Sequence, residues 1–218
     1  PQPEGLGIYK LKALLPEKFE AISETENIIK INKNKDLEFV FEFPNPINNI
    51  SFTANKYEVL KDSFNGIETY AYFFPEDIGL AKTYIEYTKK YLSLYEKLLG
   101  KYPFKSFSIV ENFLPTGYSM PTYTVLGQDV IKLPFIVETS LGHEILHQWF
   151  GNYVYIDYEK GNWAEGLTTY LSDHFYEEQK GRGWEYRKKL LIDYESYVED
   201  EREFALKDFI SRTDYLSR

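Results

Sequence analysis

A chain of 218 residues, 43% hydrophobic and 18% aromatic, can bury a sizeable core as one large or two small domains, and it is too apolar to be a disordered chain. A net charge of −9 and a pI of about 5.0 argue against nucleic acid as a partner, because phosphate binding needs concentrated basic charge. The absence of cysteine excludes a disulfide framework and thiol chemistry, and no apolar run approaches the ~18 residues of a membrane span.

Residues 1–36 are mixed, with a tail at Pro1–Gly7 and a turn at Asn32–Asp36. Leu37, Phe39, Phe41 and Phe43 then alternate with Glu38, Val40 and Glu42, the period of a half-buried strand. Pro44-Asn45-Pro46 ends it, and Ile50–Ala54 reads as a further short strand. Tyr57–Phe64 and Ile67–Phe74 flank Asn65-Gly66, a strong hairpin signal. After Pro75 the period changes to helical, with Leu80, Ala81, Tyr84, Ile85, Thr88, Tyr91, Leu92, Tyr95, Leu98 and Leu99 on one face. Gly100 and Pro103 stop that helix, and its tyrosines are expected in the core. Phe107–Val110 and Tyr123–Leu126 read as strands.

Pro134–Phe150 reads as one helix, with Pro134 in its first turn and Gly151 at its stop. It carries His143-Glu144-Ile145-Leu146-His147, two of the chain's three histidines. Histidines four apart stand one turn apart on one face, so both imidazoles can reach a single ion. Glu144 projects about 100° round the helix, which suits a carboxylate that handles a water without ligating the metal. After seventeen intervening residues Glu165, in Trp163-Ala164-Glu165-Gly166, opens a second helix running to about Lys180 and supplies the third ligand. Two His and one Glu leave a fourth tetrahedral position open, the pattern of catalytic zinc, one ion per chain. Thr169, one turn from Glu165, is expected to support a ligand, whereas His174 lies too far along to be one. Gly181–Gly183 breaks the chain before a last amphipathic helix with Trp184, Leu191, Tyr194 and Val198.

The stretch His143-Glu144-Ile145-Leu146-His147-Gln148-Trp149-Phe150-Gly151-Asn152 resembles the zinc-motif helix of the aminopeptidase N family, the gluzincin aminopeptidases. Lys101-Tyr102-Pro103-Phe104 looks like that family's Tyr-Pro element, and Trp163–Tyr170 like its glutamate-ligand helix. The gap from His147 to Glu165 is one residue shorter than the family shows, which a deletion near Asp157–Gly161 would explain. The resemblance also implies a substrate-binding strand, here Gly117, Tyr118, Ser119 and Met120, along which peptide backbone pairs as an extra strand. There the family carries Gly-Ala-Met-Glu-Asn, whose glutamate holds the substrate's free amine. Where Met120 aligns with that methionine, Pro121 replaces the glutamate.

The fold expected from this resemblance is α+β: a thermolysin-like zinc peptidase domain, with a mixed sheet plus zinc-motif helices, preceded by a β-rich segment. Residues 1–75 are assigned to the β-rich end of a β-sandwich-like domain, and 76–218 to a gluzincin catalytic domain truncated at its C-terminus. The chain is thus read as a piece of a longer protein, with the cytoplasm slightly favoured and the oligomeric state open. The function expected is zinc-dependent hydrolysis of a peptide substrate without the amine-binding glutamate. An endopeptidase or other zinc hydrolase on the same scaffold, and a zinc-bound but non-hydrolytic binding module, are the alternatives. The family also uses a tyrosine some tens of residues beyond the glutamate ligand to stabilise the oxyanion. Phe209–Arg218 resembles the approach to it, with Tyr215 a weak candidate, so the fragment alone is expected to be nearly inert.

Overall fold

The computed structural model describes residues 5–115, 117–197 and 204–209. Its first part is all strand. Lys10–Pro16 (β1), Asn27–Lys33 (β3) and Asp36–Glu42 (β4) form an antiparallel sheet in the order β1-β4-β3. Glu20–Ser23 (β2) pairs with Phe52–Asn55 (β5). The alternation of Leu37–Phe43 is realised in β4, whose Phe39 and Phe41 stack in a small core of their own. β1, β2 and β3 lie in the stretch that reads only as mixed. β3 is mostly exposed and its Lys and Asn residues give no alternation to detect.

The larger sheet positions the site. Glu58–Phe64 (β6) and Ile67–Phe73 (β7) make the hairpin whose turn holds Asn65 and Gly66 at positive φ. Ser106–Asn112 (β8), Gly117–Met120 (β9) and Tyr123–Gly127 (β10) complete it in the order β6-β7-β8-β10-β9. β7, β8 and β10 run parallel, whereas the outer pairs are antiparallel. The β6–β7 hairpin, which precedes residue 75, is hydrogen-bonded through β7 to β8, which follows it. The hairpin signal was local, and the pairing partner of a strand is not encoded locally.

β8 is buried along its whole length, as expected of a central strand covered on both faces. Phe107 and Ile109 face the main core with Ala71, Phe73 and Leu126, and Val110 faces a second cluster with Ile22, Tyr57, Tyr72 and Tyr123. Over the main core lies α1, Ala81–Leu99, where the helical period was read. Its tyrosines bury their rings and satisfy their hydroxyls across the interface. Tyr84 donates to Ile131 O (3.0 Å), Tyr91 to Val137 O (2.9 Å) and Tyr95 to Gly142 O (3.1 Å). The aromatic richness of the chain thus fixes the segment leading into the histidine motif. A Cβ on Gly142 would lie 2.6 Å from the Tyr91 ring, so glycine sets how closely the two helices approach.

The histidine helix is shorter than Pro134–Phe150. It comprises a 3₁₀ turn, Ile136–Glu138, and then α2, Ser140–Leu146, separated by Thr139 at φ −132° and ψ −87°. Pro134 lies before both rather than in a first helical turn. The second helix is α3 (Trp163–Thr169), a π-helical turn (Tyr170–His174) and α4 (Phe175–Gln179), followed by α5 (Gly183–Tyr197). Val198 and Tyr215 lie outside the described residues.

Near the start of α1 the buried Glu111 sits beside the half-buried Asp77. Glu111 Oε2 accepts from Phe74 N (2.7 Å), and Asp77 beside it is ion-paired with Lys132 (2.9 Å). Burial pushes the Glu111 carboxyl up to about 7; the Phe74 N–H opposes this and the Asp77 carboxylate adds to it. The folded chain therefore binds a proton here between about pH 4.5 and 7 that the unfolded chain has released. Stability from this group is complete below about 4.5 and is lost as pH rises through about 7. Glu111→Gln, neutral throughout, is expected to remove that loss. Its urea midpoint relative to the parent should improve between pH 5 and pH 8 by the equivalent of roughly 1–3 kcal/mol. Parallel pH profiles for the two proteins would show that Glu111 stays ionised.

Candidate metal centre

α2 ends at His147, and its turn spacing brings the two imidazoles edge to face with Nε2 atoms 3.2 Å apart. Glu165 lies in the first turn of α3, whose N-cap Asn162 accepts from Glu165 N at 3.4 Å. Its Oε1 is 3.4 Å from His147 Nε2 and its Oε2 3.7 Å from His143 Nε2. Ligands bound at 2.0–2.1 Å on a tetrahedron stand about 3.4 Å from one another. The three side chains thus already form the triangular face a zinc ion would need, and their ligand atoms all lie within 4.8 Å of one another. No other such group of three occurs among the described residues.

The rear nitrogens are fixed as metal-binding imidazoles require. His147 Nδ1 is 3.0 Å from Phe150 O and 3.4 Å from Thr168 Oγ1. His143 Nδ1 is 3.3 Å from Asp173 Oδ2 and 3.4 Å from Ser172 Oγ. A proton on each Nδ1 leaves both Nε2 lone pairs facing the centre. Thr168, the residue before Thr169, thus supports His147 from behind. Asp173 was not found from sequence, where it is one acid among many; it is brought in on the π-helical turn, a distortion common at functional sites. His174 turns away, stacked on Tyr170 and 2.6 Å from Arg187 Nη1.

The electrostatics call for a cation. Burial lowers the His143 imidazole, but Asp173 and Glu165 outweigh it and raise it to about 9. Hydrogen bonds from the two imidazoles hold Glu165 far below the usual carboxylate range. Burial pushes Glu144 up, while both imidazoles pull it down. Three carboxyl groups, Glu144, Glu165 and Asp173, thus surround the two imidazoles, a setting that suits a divalent ion.

Glu144 faces β9. A Cβ added to Gly117 would come within 3.4 Å of Glu144 Oε1, so the strand passes directly over the carboxylate. Between them is a cavity of about 300 Å³, whose walls include Gly117, Tyr118, Ser119, His147 and Tyr158. Of the expected substrate-binding residues, Gly117, Tyr118 and Ser119 line this cavity. Met120 instead lines an adjoining one of about 410 Å³ with Pro121 and packs against the second core cluster. Tyr158, in the loop before α3, was also missed from sequence, where it carries no motif.

Residues 134–209 match the Peptidase family M1 domain. No curated protein sequence matches the chain. The fold is similar to that of an M1 zinc metallopeptidase from Deinococcus radiodurans, with a TM-score of 0.71 at 15% identity over 95% of this chain and 48% of that one. A point mutant of that enzyme gives 0.69 at 16% identity over the same shares of the two chains. The mutant bound to a Tyr-Ser-Ala substrate gives 0.67 at 15% identity over 89% and 46%. The chain therefore spans about half the length of these structures. These likenesses bear out the family resemblance carried by the two motifs and the α+β architecture expected from it.

Proposed function

We propose that this chain, with its M1-type fold and its match to the M1 domain over 134–209, carries the catalytic centre of a zinc-dependent peptidase. The observation that carries this reading is the triangle of His143, His147 and Glu165 with the Glu144 carboxylate beside it. His143, His147 and Glu165 would hold one zinc, which supplies a Lewis acid and lowers the pKa of water toward ~7. Glu144 accepts the proton of the attacking water and delivers it to the leaving amine nitrogen. Its burial favours that role by keeping its basicity above that of a surface carboxylate. The substrate is a peptide lying along β9, the last strand in the order of the sheet, which lines the cavity. The bound peptide in the mutant neighbour supports that class of substrate. The hairpin and the sheet after it belong to this catalytic unit, which begins near residue 58. No described helix is long and apolar enough to cross a membrane.

The reading departs from a strict aminopeptidase. The β9–β10 turn is Pro121-Thr122 and offers no carboxylate to a substrate ammonium group. Glu24 lines the adjoining cavity, but it already accepts bonds from Ser51 N (3.0 Å), Ser51 Oγ and Ser23 Oγ (3.1 Å). A peptide and its N-acetylated form should therefore be cleaved by the intact protein at comparable kcat/KM. A hundredfold or greater preference for the free amine, about 2.7 kcal/mol, would show that an amine anchor exists and restore the exopeptidase reading.

A further inference from the structure

We propose that Gln148 is a positioning residue that sets the height and register of the β9 edge strand over the metal centre. This rests on the peptidase reading above. Gln148 follows His147 directly and is completely buried. Its amide is saturated. Oε1 accepts from Thr122 N (2.8 Å) and Tyr102 Oη (3.4 Å), and Nε2 donates to Ser119 Oγ (2.9 Å) and Met120 O (2.9 Å). A backbone donor on one side and a backbone acceptor on the other fix which end of the amide is which. Three of the four bonds go to β9 and its turn.

Ser119 closes the connection. Its hydroxyl receives bonds from Gln148 and from Asn152 Nδ2 (3.0 Å), and donates to the backbone oxygen of Glu144 at 2.9 Å. One side chain thus joins the residue after a metal ligand to the strand above the base. The turn it grips is strained. Thr122 has φ +74°, a conformation that a β-branched residue adopts only where its surroundings over-determine it. Gln148 Oε1 on the Thr122 amide is one such constraint, and Thr25 N on Thr122 Oγ1 (3.3 Å) is another. With the amide removed, the turn can relax and β9 can shift relative to Glu144. Misplacement of about 1 Å is enough to cost on the order of 100-fold in a positioned reaction.

The test compares the intact, zinc-loaded protein with Gln148→Met, which keeps the volume and loses the four bonds. Two probes are titrated: acetohydroxamate, which reaches the metal alone, and a tripeptide hydroxamate long enough to pair with β9. The expected result is one zinc per chain, acetohydroxamate affinity within twofold of the parent, and the tripeptide probe weakened tenfold or more. Amide exchange at Thr122 should also quicken. Equal binding of both probes by parent and variant, or equal weakening of both, would overturn the proposal. Should Gln148→Met not fold, Ser119→Ala removes one arm of the clamp and is read by amide exchange at Thr122, which a direct contact of Ser119 with substrate would not move. A parent that binds neither zinc nor hydroxamate would refute the peptidase reading instead. Thr122 exchange then still decides the clamp, because it needs no metal, and unchanged exchange would refute it.

Discussion

Glu144→Gln is expected to keep one zinc per chain and to lower kcat of the intact protein by about 10²–10⁴-fold. Glutamine has the same shape, so the contact with Gly117 and the packing of α2 are retained. What disappears is a buried carboxylate whose basicity burial raises and the two imidazoles moderate. The readout is metal content by mass spectrometry beside steady-state hydrolysis of an unmodified peptide. KM should change little, since the amide still fills the same wall of the cavity. Hydrolysis at the parental rate would mean that another group takes the water's proton. Loss of zinc in this variant would mean that Glu144 is itself a ligand.

His147→Ala should weaken zinc binding by more than about 100-fold, the upper figure for losing only a group behind a ligand. It removes one corner of the triangle and leaves Glu165 with a single imidazole. It also frees Phe150 O and Thr168 Oγ1, which now orient the ring. Competition with a chelator of known affinity measures the change. Full zinc occupancy in the variant at equal chelator would show that the ion sits elsewhere.

The cluster that could hold a metal was legible because its pattern is written in short spacings. A spacing of four between histidines is one helical turn, and that turn is formed in α2 although the helix is less than half the length expected. α1 was legible because its buried residues recur at helical period, and the β6–β7 hairpin because Asn-Gly permits positive φ in both turn positions. What surrounds the ligands was harder to read. Thr168 supports His147, and Asp173 reaches His143 from a turn of different pitch; neither was read from ideal helical spacing. Gln148 was passed over because a buried amide and an exposed one are the same letter, and its partners on β9 lie nearly thirty residues away. β3, exposed along most of its length, gave little pattern, and in β1 the alternation of Leu11, Ala13 and Leu15 is blurred by Leu14 on the exposed face.

The parallel pairing of β7 with β8 also decides where this molecule can be cut. A fragment begun after residue 75 would keep every ligand and the base but lose the partner of Ser106–Val110. β8 would become a flat, apolar border with unanswered N–H and C=O groups, and Phe107 and Ile109 would lose Ala71 and Phe73 beside them. Such a border recruits other chains, so the fragment would self-associate before its metal could be assayed. The smallest piece that avoids this association is thus set by the sheet's need for a covered margin, some eighty residues upstream of the first histidine.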